Sequence, residues 1–164
     1  MLTLHRILHP TDFSPCSNYA FQLACDLARD HGADLIVLHV MPEPVYVLGD
    51  GVVTADPPHY RTQRAQKLRQ IDVPDLHTRV AHILAEGDAV REILRVAAEK
   101  HTDLIVMGTH GWTGLTRLLM GSVAERVVRQ APCAVLTVKT PIKPEPIAEP
   151  SAAAGDRVVQ PATA

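Results

Sequence analysis

Asp103-Leu-Ile-Val-Met-Gly-Thr-His-Gly111, followed later by Gly121-Ser122, is the stretch that decides how this chain folds. Leu104 to Met107 are apolar without a break, the pattern of a strand covered on both faces rather than one. The run ends in Gly108 and Gly111. After an irregular stretch, Gly121-Ser122 begins a helix that runs through Ala131 and is stopped by Pro132. Cys133-Ala-Val-Leu-Thr-Val138 then reads as another short strand. Strand, glycine loop, helix, strand is the unit from which parallel sheets are built.

The same alternation extends upstream. Ile7-Leu8 lies in a first strand over about residues 3–9, ended by Pro10-Thr11-Asp12. Ser14 reads as an N-cap with Pro15 at the first helical position. Phe21, Ala24, Cys25 and Ala28 recur at helical spacing, and Gly32 supplies the C-terminal stop. Asp34-Leu-Ile-Val-Leu-His-Val40 is a second continuous apolar strand. Residues 41–58, rich in Pro and Gly, read as a loop. Residues 59–71 read as a weak helix with Tyr60, Arg64, Leu68 and Ile71 on one side. A third strand is expected from about His77 to Leu84. Asp88 caps the next helix, whose stripe is Val90, Ile93, Leu94, Ala97 and Ala98. The expectation is an α/β fold: a single open five-stranded parallel sheet with helices on both faces, in strand order 2-1-3-4-5 or 3-2-1-4-5.

At 164 residues, 46% of them hydrophobic and 21% charged, the chain has the size and make-up of one globular domain. Aromatic residues are only 4%, so the core must come from Val, Leu, Ile and Ala. The formal net charge of −2 comes without a basic stripe, which argues against nucleic acid as a partner. Cys16, Cys25 and Cys133 are odd in number and form no Cys-x-x-Cys pair, so neither a disulfide framework nor a zinc site is expected. The first ten residues are broken by His5 and Arg6 and lack a cleavage site, unlike a signal peptide. No apolar run reaches the length of a membrane span. These features lead to an expected cytoplasmic location with no membrane partner. From Thr140 onward the chain is Pro- and Ala-rich and aperiodic, so residues 1–139 are read as the domain and 140–164 as a mobile tail.

Ligands of open parallel sheets sit beyond the carboxyl ends of the strands, where the strand order reverses. In order 3-2-1-4-5 the reversal brings Pro10-Thr11-Asp12 together with Gly108-Thr-His-Gly111. Asp12 can accept hydrogen bonds from a ribose hydroxyl or a purine donor. Gly108 and Gly111 let the backbone approach an anion. Gly121-Ser122 offers the free N–H groups and dipole of a helix start, and the Ser122 hydroxyl adds a donor. Each feature also has a plain reading. An Asp after a strand commonly serves as an Asx-turn or cap residue. Glycines there commonly make turns, and Gly-Ser can simply start a helix. The joint arrangement is what points to a nucleotide. A P-loop, a Gly-x-Gly-x-x-Gly fingerprint and a Gly-x-Ser-x-Gly elbow are all absent. His9, His39 and His110 fall near the same edge, but strand-end histidines are more commonly packing residues than metal ligands.

The spacing Gly108-x2-Gly111-x9-Gly121-Ser122 resembles the ATP-binding signature of the universal stress proteins. Gly121-Ser-Val-Ala-Glu-Arg-Val127, Ala131-Pro-Cys-Ala-Val135, Ile7-Leu-His-Pro-Thr-Asp-Phe-Ser14 and Leu38-His-Val40 are similar too, so the resemblance covers about residues 1–139. It implies order 3-2-1-4-5 and a homodimer through the last strand, Cys133 to Lys139. It implies that Asp12 and Val40 hold an adenosine, while Gly108, Gly111, Gly121, Ser122 and Val123 surround the phosphates of ATP, with Mg2+ or Mn2+ carried on them. Pro10, Thr11, Met107 and His110 complete the candidate set. The segment between the second and third strands is shorter than is usual in this family.

The function expected is an ATP-dependent stress-response switch or sensor with little or no hydrolysis. A slow ATPase is the first alternative, with His110 as the nearby candidate base and at most weak turnover. A nucleotide-independent dimeric interaction module is the second.

Overall fold

The computed structural model of the chain describes residues 3–43, 59–71, 73, 78–109 and 120–139. Nine elements follow one another among them: β1 Arg6–Pro10, α1 Pro15–His31, β2 Asp34–Met41, α2 Tyr60–Arg69, β3 Val80–Glu86, α3 Ala89–Glu99, β4 Leu104–Gly108, α4 Ser122–Gln130 and β5 Ala134–Val138. The strands form one sheet in the order β3-β2-β1-β4-β5. Every neighbouring pair is parallel.

Both faces of the sheet are buried. Ile7, Leu35, Val37 and Val106 pack with Ala20, Ala24 and Ala28 of α1 and Leu68 of α2. Their chain neighbours Leu8, Ile36, Leu38, Ile105 and Met107 pack on the other side with Val90, Ile93 and Val96 of α3 and with Ala124 and Val127 of α4. Successive strand residues thus enter opposite cores, which is why these strands are apolar throughout instead of alternating.

The helix ends follow the local sequence. Ser14 Oγ accepts the Ser17 N–H at 3.2 Å at the start of α1, with Pro15 in the first turn. Gly32 closes α1 at φ +63°, where other residues are strained. Asp88 Oδ1 accepts the Arg91 N–H at 2.9 Å at the start of α3. Such caps are each worth ~1 kcal/mol. The starts of α2 and α4 have no capping side chain, and at α4 the preceding Gly121 is extended.

The strand order excludes 2-1-3-4-5. Two strands also begin later than their composition suggests. His5 N–H and Arg6 N–H donate to the Asp103 carboxylate at 2.7 and 2.9 Å, so a side chain fastens the approach to β1 on the β4 side, while His5 O accepts the Asp34 N–H at 2.9 Å on the β2 side. These two bonds hold the Asp103 carboxyl below its ordinary pKa. The third strand lies at Val80–Glu86, because its ladder with β2 continues to Met41↔Glu86. The loop expected over 41–58 and the tail 140–164 lie largely or wholly outside the described residues. Cys16 and Cys25 are buried and Cys133 is partly buried, none of them in a disulfide. Burial pushes the Cys25 thiol up to about 11. Among the described residues, no helix is long and apolar enough to cross a membrane.

β1 pairs with β2 over five residues, through Pro10↔Leu38, but with β4 only at Ile7↔Leu104 and Leu8↔Ile105. Pro10 has no N–H to extend a ladder. The two central strands therefore part toward their carboxyl ends, at the point where the strand order reverses. Thr11 N–H then joins Leu38 O at 2.8 Å, while Thr109 N–H joins Val138 O at 2.9 Å, so each strand leans on its outer neighbour.

Candidate functional site

A cavity of about 350 Å³ opens where β1 and β4 part. Pro10 at the end of β1 and Thr11 and Asp12 after it make one wall, with Leu38 and Val40 of β2. Met107, Gly108 and Thr109 at the end of β4 make the opposite wall, with Gly121, Ser122, Val123 and Ala124 at the start of α4. Ala89 and Ile93 of α3 close an apolar side, and Ser17 of α1 reaches the cavity behind the first wall.

The first wall is tightly held. Phe13 sits at φ +63°, a left-handed conformation that costs a non-glycine residue on the order of 1 kcal/mol or more. Its surroundings hold it there. Phe13 N–H donates to Thr11 Oγ1 at 3.1 Å, and its ring packs on His39 at 4.4 Å between centroids. The Lys67 ammonium lies 4.5 Å from the centre of the Phe13 ring. Ser14 N–H donates to Asp12 Oδ1 at 2.9 Å. Asp12 is thus an Asx-turn residue and also a cavity residue, so its plain reading and its functional reading hold together.

Both strand-end histidines serve this wall. His9 is fully buried and its Nδ1 lies 2.8 Å from Val106 O. A carbonyl can only accept, so Nδ1 carries the proton. Burial pushes the His9 ring down to about 4, against the weaker opposing effects of the Val106 bond and the Asp12 charge. His39 Nδ1–H donates to Thr11 O at 2.7 Å, and burial lowers its pKa as well. Both rings spend a nitrogen on a backbone carbonyl. Among the described residues, no group of three His, Cys, Asp or Glu side chains could hold a metal ion. His110 and Gly111 lie outside the described residues.

The second wall is built from backbone. Gly121 N–H bonds Thr109 O at 2.8 Å, which seats the start of α4 directly beyond β4. The first N–H groups of a helix lack intrahelical acceptors, and here no side chain caps them. With the positive end of the helix dipole they favour an anion. Glu125 in this first turn is paired with Arg129 at 3.1 Å, which offsets its charge. Gly108 has a reason that the sequence reading did not supply. A Cβ there would lie 2.9 Å from Cys16 Sγ and 3.2 Å from the Cys16 carbonyl carbon, so the glycine is demanded by the close passage of α1.

The structure therefore brings Pro10, Thr11, Asp12, Val40, Met107, Gly108, Gly121, Ser122 and Val123 around one cavity. It adds Ser17, Leu38, Ala89, Ile93, Thr109 and Ala124. Thr109 lies inside the glycine stretch and could have been read from it. Ser17 and the α3 residues are ordinary first-turn and stripe positions whose place at the cavity depends on helix docking.

The Universal stress protein family model matches residues 3–139. The chain belongs to the universal stress protein family. Universal stress protein MJ0531 of Methanocaldococcus jannaschii is 35% identical over 142 residues, covering 84% of each chain. Among solved structures, universal stress protein UspA from Lactobacillus plantarum superposes with a TM-score of 0.71 at 28% identity, covering 84% of this chain and 99% of that one. The universal stress protein from Archaeoglobus fulgidus in complex with dAMP has a TM-score of 0.61 at 20% identity, covering 85% of this chain and all, 100%, of that one, and shows the shared fold.

Proposed function

We propose that this universal stress protein binds ATP in the cavity between β1 and β4 and acts as a nucleotide-dependent stress-response switch or sensor with little or no hydrolysis. One observation carries the reading. A carboxylate wall and an uncapped helix start face each other across a cavity whose volume, about 350 Å³, falls in the range of small-molecule sites. Asp12 and Val40 suit the adenosine. Gly108, Gly121, Ser122 and Val123, with Gly111 and His110, suit the phosphates. The dAMP complex of the Archaeoglobus fulgidus protein shows that protein holding an adenine nucleotide.

Among the described cavity residues, Asp12 is the one titratable side chain, and the nucleoside engages it. An ATPase would need a positioned base and a cationic clamp on the phosphates as well, which is why weak turnover stays the alternative. A divalent cation, Mg2+ or Mn2+, would be held through the phosphates and would neutralise their charge. The proposed working form is a homodimer through Cys133 to Lys139. β5 is an edge strand, and Leu136 on it is exposed; an uncovered edge of this kind invites pairing with a second chain. The cytoplasm is the proposed compartment, with residues 1–139 as the domain and 140–164 as a tail.

The test is to purify the protein without added nucleotide, denature it, and separate the released small molecules by anion exchange. ATP close to one per chain is the expected result. Mostly ADP would transfer the reading to a slow ATPase. No nucleotide, together with no thermal shift on adding magnesium-ATP, would leave the dimeric interaction module.

A further inference from the structure

We infer that Ser17 is a positioning residue of the nucleoside wall: with His9 it clamps Thr11 from behind and so fixes the direction in which Asp12 enters the cavity. This rests on the nucleotide-binding reading above.

Thr11 is held on every side. Its N–H donates to Leu38 O at 2.8 Å, and its carbonyl accepts from His39 Nδ1 at 2.7 Å. Its hydroxyl accepts the Phe13 N–H at 3.1 Å and lies 2.9 Å from Ser17 Oγ. Asp12 is the next residue. Any rotation of Thr11 therefore swings the Asp12 carboxylate.

The clamp reaches across three elements. Ser17 Oγ, in the first turn of α1, lies 2.9 Å from Thr11 Oγ1 and 3.4 Å from His9 Nε2. His9 is anchored in turn to β4, through Nδ1–H to Val106 O, and packs on Phe21 of α1 at 5.5 Å between ring centroids. With its proton on Nδ1, the neutral ring can only accept at Nε2. Ser17 Oγ thus joins the Thr11 hydroxyl on one side to the His9 Nε2 acceptor on the other. Thr11, Ser17 and His9 are all buried, so their polar atoms depend chiefly on one another for hydrogen bonds. Ser17 also lines the cavity, so two ways of acting must be separated: through Asp12, or by touching the ligand itself.

Calorimetry on the full chain separates them. The proteins are the wild type, Ser17→Ala, Asp12→Asn and the double variant, titrated with magnesium-ATP and with tripolyphosphate. Ser17→Ala deletes one oxygen and keeps the α1 cap, which uses the Ser17 backbone. It is expected to weaken ATP by about tenfold, the size of one buried hydrogen bond, while tripolyphosphate binding stays within about twofold. A merely structural loss would weaken both ligands. In the Asp12→Asn background, adding Ser17→Ala should cost less than about twofold, because coupled sites fail to add. His9→Asn, which keeps an amide donor for Val106 O but withdraws the acceptor from Ser17, is expected to lose ATP affinity in the same direction. The inference is overturned if Ser17→Ala leaves ATP affinity unchanged, or if its cost persists in full beside Asp12→Asn, which would make Ser17 a direct ligand contact. Wild-type protein that binds no ATP would overturn the nucleotide reading itself, and the positioning role with it.

Discussion

The two walls of the cavity dispose of their polar groups in opposite ways. Around the end of β1, the N–H, carbonyl and hydroxyl of Thr11, the N–H groups of Phe13 and Ser14, and a nitrogen of each of two histidines are bonded within the protein. Around the start of α4, the helix is left uncapped, although α1 and α3 each begin with a capping side chain. The first wall is thereby fixed before a ligand arrives, at the cost of a strained Phe13 and buried neutral histidines. The second holds donors in reserve. A rigid wall suits recognition of a nucleoside, and a wall of spare donors suits phosphate, whose affinity then depends on how α4 and the segment before it are placed. That division is compatible with the proposed nucleotide-dependent switch, in which ATP must favour one arrangement over another.

The sharpest way to break the contrast is pH. His9 has a folded-state pKa near 4 against 6.5 for the free side chain. The folded state refuses a proton that the unfolded chain accepts. The stability due to the neutral ring is therefore complete above about pH 6.5 and is lost as pH falls toward 4, an effect of roughly 2–3 kcal/mol. His39 acts in the same direction. Urea unfolding at about pH 7 and about pH 4.5 should show this loss in the wild type and a smaller one in His9→Asn. An equal loss in both would remove His9 from the first wall's energetics.

Next in size is Asp12→Asn. It keeps an Oδ1 for the Ser14 N–H but replaces the other oxygen by an amide that cannot accept from a hydroxyl. ATP affinity should fall by about 10- to 100-fold, the worth of a charged hydrogen bond, with little change in melting temperature. Unchanged affinity would take the nucleoside off this wall.

Gly108→Ala tests the junction of the walls. The added Cβ would meet Cys16 Sγ at 2.9 Å, and overpacking of this kind costs about 1–3 kcal/mol by thermal or urea unfolding. Combining it with Cys16→Ala should recover part of the loss. The Cys16 backbone, 3.2 to 3.3 Å away, stays in place. No loss in the single variant would return Gly108 to the role of a plain turn residue.

Much of this was legible in the sequence, for reasons that differ between elements. Asp34–Val40 and Asp103–Met107 read correctly because a strand buried on both faces is apolar throughout. Ser14, Gly32 and Asp88 read correctly because caps are local chemistry. The strand order was narrowed to two possibilities by pattern, and the resemblance chose between them. Other features were not legible, because each depends on contacts between residues far apart in sequence. The demand for Gly108 comes from a helix more than ninety residues earlier. The start of β1 is shaped by Asp103. Asp12 could be sorted as turn or ligand only as alternatives, whereas the loop geometry allows one carboxylate to serve both.

Ser122→Ala should have the smallest effect. Its hydroxyl is exposed and caps nothing, so stability should hold within a few tenths of a kcal/mol while ATP affinity falls by about two- to tenfold. Adenosine affinity, which depends on the other wall, should not change.

The most direct measurement is calorimetric titration of nucleotide-free protein with magnesium-ATP and, separately, with adenosine. The division of the cavity predicts one ATP per chain, with adenosine bound at the same site about tenfold or more weakly, because it leaves the donors of α4 without a partner. No binding of either ligand, or equal affinity for both, would contradict it.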